Sequence, residues 1–343
     1  MRARPAAVAS LAALCAGALA LAGCSSSNGS GGSSASGSPG AIKVGALIHG
    51  LDNPFFVTMQ QGMQDAGAAY GASVTVQAPD GNDDEAAQAA MLTDMAGQGY
   101  DCIVVDPFSA TTLNAGIASL TAAGTPVVNV DTPVDVEGLA AAGGKIAAFI
   151  GSDNQEAGAM AGEALMDGLA ASATVGFIAG PVGNVASNDR IAGATAAVGD
   201  VTLKGPVPAD WDTNEAYAAA KAMIAQAPAI AGIFAANDQM AQGVIQAVTE
   251  SGKDIRVVGI DGIQPMLDDV QSGTATATVA QYPYVMGKLG VEACLVAVQG
   301  GQVKDRVASP IVLVNAANVA DVLARQPEPP SAYDDPYAPL ITR

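Results

Sequence analysis

Carboxamides, carboxylates, one guanidinium and large aromatic rings recur in this chain just behind short apolar runs. The run 42–48 is followed by His49 and then by Leu51-Asp52-Asn53-Pro54-Phe55-Phe56. An amide supplies a donor and an acceptor, and phenyl rings supply apolar faces. Together they suit a compact polyhydroxy ligand, which has hydroxyl edges and C–H faces. Asn129-Val130-Asp131-Thr132-Pro133 closes a later run, and a Gly-rich loop at 179–188 leads into Asp189-Arg190. Ala209-Asp210-Trp211-Asp212, Ala235-Ala236-Asn237-Asp238, Gly259-Ile260-Asp261-Gly262 and Ala280-Gln281-Tyr282-Pro283 repeat the pattern. A carboxylate accepts from two neighbouring hydroxyls, and a guanidinium donates to two oxygens. Each position also has a purely structural role open to it: Asn237-Asp238 reads as a helix N-cap, and Phe55 or Phe56 as core. Their shared location at strand C-termini, where open α/β sheets bind ligands, is what favours a site.

The elements that must position these groups are short β-branched runs alternating with Ala-rich amphipathic stretches. Strands are expected at 42–48, 73–77, 102–105, 127–130 and 149–151, then at 174–178, 201–207, 231–234, 257–259, 275–280 and 311–314. Segments 83–98, 156–169, 214–225 and 238–251 have helical period and length. Such alternation implies parallel sheets covered by helices on both faces. Two series of strands point to an α/β fold of two doubly wound parallel-sheet domains; a single eight-repeat barrel fits the long second series and the last strand poorly.

Residues 1–23 read as a targeting segment: Arg2 and Arg4, an apolar stretch at 8–21, then Leu21-Ala22-Gly23-Cys24. Residues 24–40 are almost wholly Ser and Gly beyond the cysteine and behave as a flexible tether. Residues 325–343 carry five prolines among polar residues and read as an extended or disordered tail. The formal net charge of −19 disfavours nucleic acid or an anionic membrane surface as a partner. Cys102 and Cys294 remain beyond the leader; they form a disulfide or stay as buried thiols. One histidine and two distant cysteines make no convincing metal set, and no cofactor is expected.

The chain resembles the ribose-type periplasmic sugar-binding proteins, the substrate-binding components of ABC importers. The resemblance spans about 42–315 and rests on Asp52-Asn53-Pro54-Phe55-Phe56, Gly151-Ser152-Asp153-Asn154, Ala236-Asn237-Asp238-Gln239-Met240-Ala241, Val258-Gly259-Ile260-Asp261-Gly262 and Ala277-Thr278-Val279-Ala280-Gln281. It implies two lobes joined by a three-strand hinge, with crossings near 148–153, 281–283 and 309–311. Residues 41–149 plus 282–309 would form the N-terminal lobe, and 150–281 plus 310–324 the C-terminal lobe. Asn53, Asp131, Arg190, Asn237, Asp261 and Gln281 would hydrogen-bond the ligand, and Phe55, Phe56 and Trp211 would sandwich it. The segment at 1–24 resembles a lipoprotein signal, with Cys24 as the lipidated residue. The expected partners are a small neutral sugar or polyol, a membrane permease and the lipid anchor, with the protein a monomer at the outer face of the cytoplasmic membrane.

Three positions depart from the family's pattern. Asp131-Thr132 stands where the ribose binders have Asp-Arg, His49 replaces a small residue, and Ile260 replaces an aromatic residue beside Asp261. His49 reads equally as a ligand contact or a structural residue, and a hexose or linear polyol fits as well as a pentose. A glycosidase using Asp131 and Asp261, or a sensor handing a sugar-like signal to a receptor, are the competing functions. A repressor is disfavoured because no DNA-binding helix pair precedes the first strand.

Overall fold

The computed structural model describes residues 40–81 and 84–342. The signal at 1–23, Cys24 and the tether up to residue 39 lie outside the described residues.

Five strands open the chain: β1 (Lys43–Leu47), β2 (Ser73–Gln77), β3 (Cys102–Val105), β4 (Val127–Val130) and β5 (Ala148–Gly151). They alternate with α1 (Pro54–Tyr70), α2 (Glu85–Ala96), α3 (Asn114–Ala123) and α4 (Val136–Ala141). After α5 (Asn154–Met166) the alternation resumes with β6 (Thr174–Ala179), α6 (Val185–Val198), β7 (Thr202–Pro208), α7 (Thr213–Gln226), β8 (Ile230–Ala235) and α8 (Asp238–Ser251). It ends with β9 (Arg256–Asp261), α9 (Gln264–Ser272), β10 (Ala277–Gln281), α10 (Pro283–Val298), β11 (Arg306–Ala308), β12 (Ile311–Asn315) and α11 (Val319–Leu323).

The strands form two sheets, in the orders β11-β5-β4-β3-β1-β2 and β12-β10-β9-β8-β6-β7. All pairs are parallel except β10 with β12. Each sheet with its helices is one α/β lobe. β3, β4 and β5 are buried at every position, as expected where helices cover both faces of a parallel sheet. The prolines of β7 are tolerated because that strand lies at a sheet edge.

The chain passes between the sheets three times: after β5, after β10 and between β11 and β12. The three passages are neighbours, since Ser309 N–H donates to the Gly151 carbonyl at 3.0 Å and Gln281 pairs with Ile311.

Cys102 on β3 and Cys294 on α10 are joined as a disulfide, with Cα atoms 5.6 Å apart and both residues fully buried. Two features differ from the sequence reading. β11 is an additional strand whose three residues are too short to show a period. The tail at 325–342 is not loose: it lies on α10, with Tyr337 fully buried and Gln299 exchanging two hydrogen bonds with Thr342 at 2.9 and 3.0 Å. Aromatic anchors hold a segment whose average composition reads as disordered. Among the described residues, no helix is long and apolar enough to cross a membrane.

Candidate ligand-binding site

A cavity of about 60 Å³ is walled by both lobes. The first contributes His49, Asn53, Phe55, Phe56, Asp131 and Thr132; the second contributes Asn184, Ala186, Arg190, Trp211, Asn237, Gln239 and Asp261. At about 10–15 Å³ per enclosed water, this is room for roughly four to six waters, which fits a compact ligand rather than a chain of sugars. Walls drawn from two sheets mean that the lobes are closed on each other.

The second lobe's polar wall is a buried network centred on Arg190. Close packing of α6 on α5 places it: a Cβ added at Gly158 of α5 would sit 2.1 Å from the Arg190 carbonyl oxygen. Arg190 Nε then donates to Asn154 Oδ1 at 2.8 Å, and Nη1 donates to the Ala236 carbonyl at 2.8 Å and to Asp261 Oδ1 at 3.2 Å. Nη2 makes no hydrogen bond to the described residues, so the guanidinium keeps donors for a ligand. Asp261 Oδ1 also accepts from Gln281 Nε2 at 2.8 Å. Burial pushes the Asp261 carboxyl up, against the opposing pull of Arg190 and Gln281. The backbone at Asp261 has φ of +133°. The next turn is clamped by buried Asp238, whose Oδ2 accepts from the N–H groups of Gly262 (2.6 Å) and Ile263 (3.1 Å), while Thr278 Oγ1 donates to its Oδ1 at 2.8 Å.

The first lobe offers an acid and a partly spent amide. Asp131 has φ of +56°, a conformation that costs a non-glycine residue about 1–3 kcal/mol and concentrates at functional sites. Its carboxylate has no hydrogen-bond partner among the described residues. Burial pushes that carboxyl up to about 8; Asp106 and Asp261 add to the effect, and Arg190 and His49 oppose it. Asn53 Oδ1 accepts from Phe55 N–H at 3.0 Å as the cap of α1, which leaves its amide nitrogen for a ligand. Asn237 repeats the arrangement on α8, accepting from Met240 N–H at 2.9 Å. Capping, one of the two alternatives in the sequence, thus coexists at both residues with a place on the cavity wall.

His49 is held from behind. Its Nε2 lies 3.2 Å from the Pro107 carbonyl and 3.5 Å from Asp106 Oδ1. Its ring stacks on Phe56 at 4.5 Å and meets Phe108 edge-on at 4.5 Å. Burial lowers its pKa, but Asp106 and, more weakly, Asp131 carry it above the usual value. Phe55 packs edge-on against Phe56 at 5.1 Å. Across the cavity stands Trp211, with the Arg190 guanidinium 5.8 Å from its ring centroid. Asp210 and Trp211 adopt φ of +44° and +63°, and the indole lies flat on Gly180, where an added Cβ would meet ring carbons at 2.4–2.6 Å. Gly180→Ala is therefore expected to displace Trp211 and weaken ligand binding at least tenfold, with little loss of folded stability. Calorimetric titration beside thermal unfolding checks this, and unchanged affinity would remove the indole's seating from the account.

Nine of the ten residues proposed from sequence line this cavity: His49, Asn53, Phe55, Phe56, Asp131, Arg190, Trp211, Asn237 and Asp261. Gln281 is the exception. It lies behind Asp261, bonded to it, and borders a neighbouring hollow with Pro54, Gly262 and Gln326. Ile260 is fully buried and not on the cavity wall, so the loss of an aromatic there repacks the core instead of enlarging the site. Sequence reasoning missed Thr132, Asn184, Ala186 and Gln239 as lining residues and Asn154 as the support of Arg190. Thr132, Gln239 and Asn154 lay inside motifs already singled out; Asn184 and Ala186 lay in the Gly-rich loop, with nothing to distinguish them. Among the described residues no cluster of three metal-ligating side chains occurs.

Residues 44–302 match the periplasmic binding protein domain. The chain is 35% identical over 269 residues to the D-allose-binding periplasmic protein of Escherichia coli K12, covering 77% of this chain and 86% of that protein. It is 31% identical over 274 residues to the ribose import binding protein of Bacillus subtilis 168, covering 79% and 86%. A solved ABC transporter solute binding protein from Bacillus halodurans C-125, with bound myo-inositol, superposes with a TM-score of 0.75 at 25% identity, over 84% of this chain and 99% of that one. Two closed lobes, a polar cavity between them and this extent of likeness lead to one assignment: the chain belongs to the periplasmic binding proteins, in the ribose-type sugar-binding group.

Proposed function

We propose that the protein is the extracytoplasmic substrate-binding component of an ABC importer and that it captures a monosaccharide or polyol by closure of its two lobes. The observation that carries this reading is the cavity into which an acid, an amide and two phenyl rings from the first lobe face a guanidinium, an acid, an amide and an indole from the second. Relatives that take D-allose and ribose, and a structural neighbour with myo-inositol, belong to the same chemical class of neutral polyhydroxy ligand.

In this mechanism the ligand settles on one open lobe, the other closes over it, and the closed form is stabilised because only it makes both sets of contacts. Asp131 and Asp261 accept from hydroxyls, Arg190, Asn53 and Asn237 donate to them, and Phe55, Phe56 and Trp211 cover the C–H faces. Gln281 acts by holding Asp261. No bond is made or broken. The lobes are taken as 41–149 plus 282–309 and 150–281 plus 310–324. A permease reads the closed state, and lipid on Cys24 keeps the monomer beside it at the cell envelope; two acyl signals suffice for stable anchoring.

A panel of pentoses, hexoses, deoxyhexoses and linear and cyclic polyols, read by thermal unfolding, tests the reading. A ligand at 100 times its Kd adds about 2.7 kcal/mol to the folded state, which raises the midpoint by about 5 °C in a chain of this size. At least one compound should do so at millimolar concentration. A flat panel would remove the sugar assignment and leave only the fold.

A further inference from the structure

The closing segment of the chain forms a connection between the lobes beyond the three passages of the hinge. It starts in the second lobe, where α11 packs on α9 and β12. Gln326 and Pro327 then pass the side of the cleft, bordering a hollow shared with Phe55 and Thr58 of the first lobe and Asp261 and Gln264 of the second.

From there the segment follows α10 of the first lobe along its whole length, about 24 Å for sixteen residues. Near the start of that helix, Lys288 Nζ lies 5.5 Å from the Tyr333 ring centroid and pairs with Asp335, and it lies 3.3 Å from Glu292 Oε1. Further on, Lys304 Nζ donates to Asp334 Oδ2 at 3.0 Å. Tyr337 is fully buried and its Oη donates to the Lys304 carbonyl at 3.2 Å. Gln299 and Thr342 fasten the end with their paired hydrogen bonds.

We propose that residues 326–342 are a strap which ties the second lobe to α10 of the first and limits how far the cleft opens when no ligand is bound. The three hinge passages are adjacent strand ends, so rotation about them swings α11 relative to the outer face of α10. The strap is fixed at both of those places. Slack between them is small: Gln326 and Arg325 are hydrogen-bonded back to Val322, Glu328 to Arg325, and Pro327, Pro329 and Pro330 restrict the backbone. A free protein confined near the closed geometry has a larger binding-competent fraction, and apparent affinity scales with that fraction. The strap therefore raises affinity without touching the ligand. The inference rests on the two-lobe binding reading for its consequence, but not for its test.

The test is the distribution of distances between spin labels at Glu137→Cys and Val182→Cys, exposed residues on the two sides of the cleft, measured without ligand. Three backgrounds are compared: the full chain, a chain ended after Arg325, and the full chain with Tyr337→Ala. The full chain should give a narrow distribution. The shortened chain should give a broader one, its mean longer by several ångströms, with Tyr337→Ala between them. Any sugar found by the panel should bind the shortened chain about three- to thirtyfold more weakly. If the shortened chain does not fold, Tyr337→Ala carries the same comparison with an intact backbone. Identical distributions overturn the strap whatever the sugar result; a broadened distribution in a protein that binds no sugar upholds the strap and counts against the sugar assignment.

Discussion

Asp261→Ala is expected to abolish ligand binding, with the affinity falling at least about a thousandfold while the protein remains folded. Two losses combine. The ligand loses a carboxylate that accepts from two hydroxyls, and each hydrogen bond to a charged group contributes about 1.5–3 kcal/mol. Arg190, with a side chain only 7% exposed, also loses its counter-charge; breaking a buried ion pair typically lowers folding stability by about 3–5 kcal/mol, a cost that thermal unfolding registers. The guanidinium keeps its bonds to Asn154 and the Ala236 carbonyl, so it stays in place but as an uncompensated cation in the cavity. Asp261→Asn should be milder, because an amide oxygen can still accept from Arg190 and Gln281. Calorimetric titration of both variants with the ligand found for the parent, beside thermal unfolding, separates binding from folding. Affinity within tenfold of the parent in Asp261→Ala would take this carboxylate out of the site.

The second large effect concerns stability. Replacing Cys102 and Cys294 together by alanine is expected to lower the unfolding free energy by about 2–5 kcal/mol, the usual cost of removing a native disulfide. The bond joins residues 192 apart in sequence, so it removes much freedom from the unfolded chain. It also fixes α10 to β3, beneath the helix that carries the strap. Neither sulfur lines the cavity, so ligand affinity of the folded protein should change little. Denaturant unfolding with and without reductant gives the measurement. Equal midpoints for parent and variant would mean that packing of α10 alone holds that face together.

Much of this architecture could be read from residue order because parallel strands covered on both faces appear as unbroken apolar runs. Cys102–Val105 is of that kind and Val127–Val130 is interrupted only by Asn129; both lie fully buried where expected. The site was legible for a related reason: in such sheets strand C-termini converge, so Asn53, Asp131, Arg190, Trp211, Asn237 and Asp261 could be grouped although they are far apart in sequence. What failed was local orientation. Gln281 stands at the expected strand end, but whether its amide points into the cavity or against Asp261 depends on the geometry of one crossing, which no pattern records. Arg306-Val307-Ala308 pairs with β5 in three residues with only Val307 buried, too little for a period to show. The tail misled because proline and polar residues dominate its composition, whereas a few side chains fasten it. Tyr337 is buried through packing against the rest of the fold, which composition cannot reveal.

A small neutral polyhydroxy molecule held between the two lobes must lie against Trp211. As the only tryptophan of the chain and part of the second lobe's wall, that residue reports such binding most directly. Its emission should be recorded while the compound selected by the stability panel is titrated into the parent protein, with Asp261→Ala and Asn53→Ala, one from each lobe, titrated in parallel. A saturable change is expected at micromolar concentration or below in the parent, none in Asp261→Ala and a right-shifted curve in Asn53→Ala. An emission that stays constant while calorimetry registers binding, or one that responds identically in all three proteins, would locate the ligand elsewhere and contradict the account.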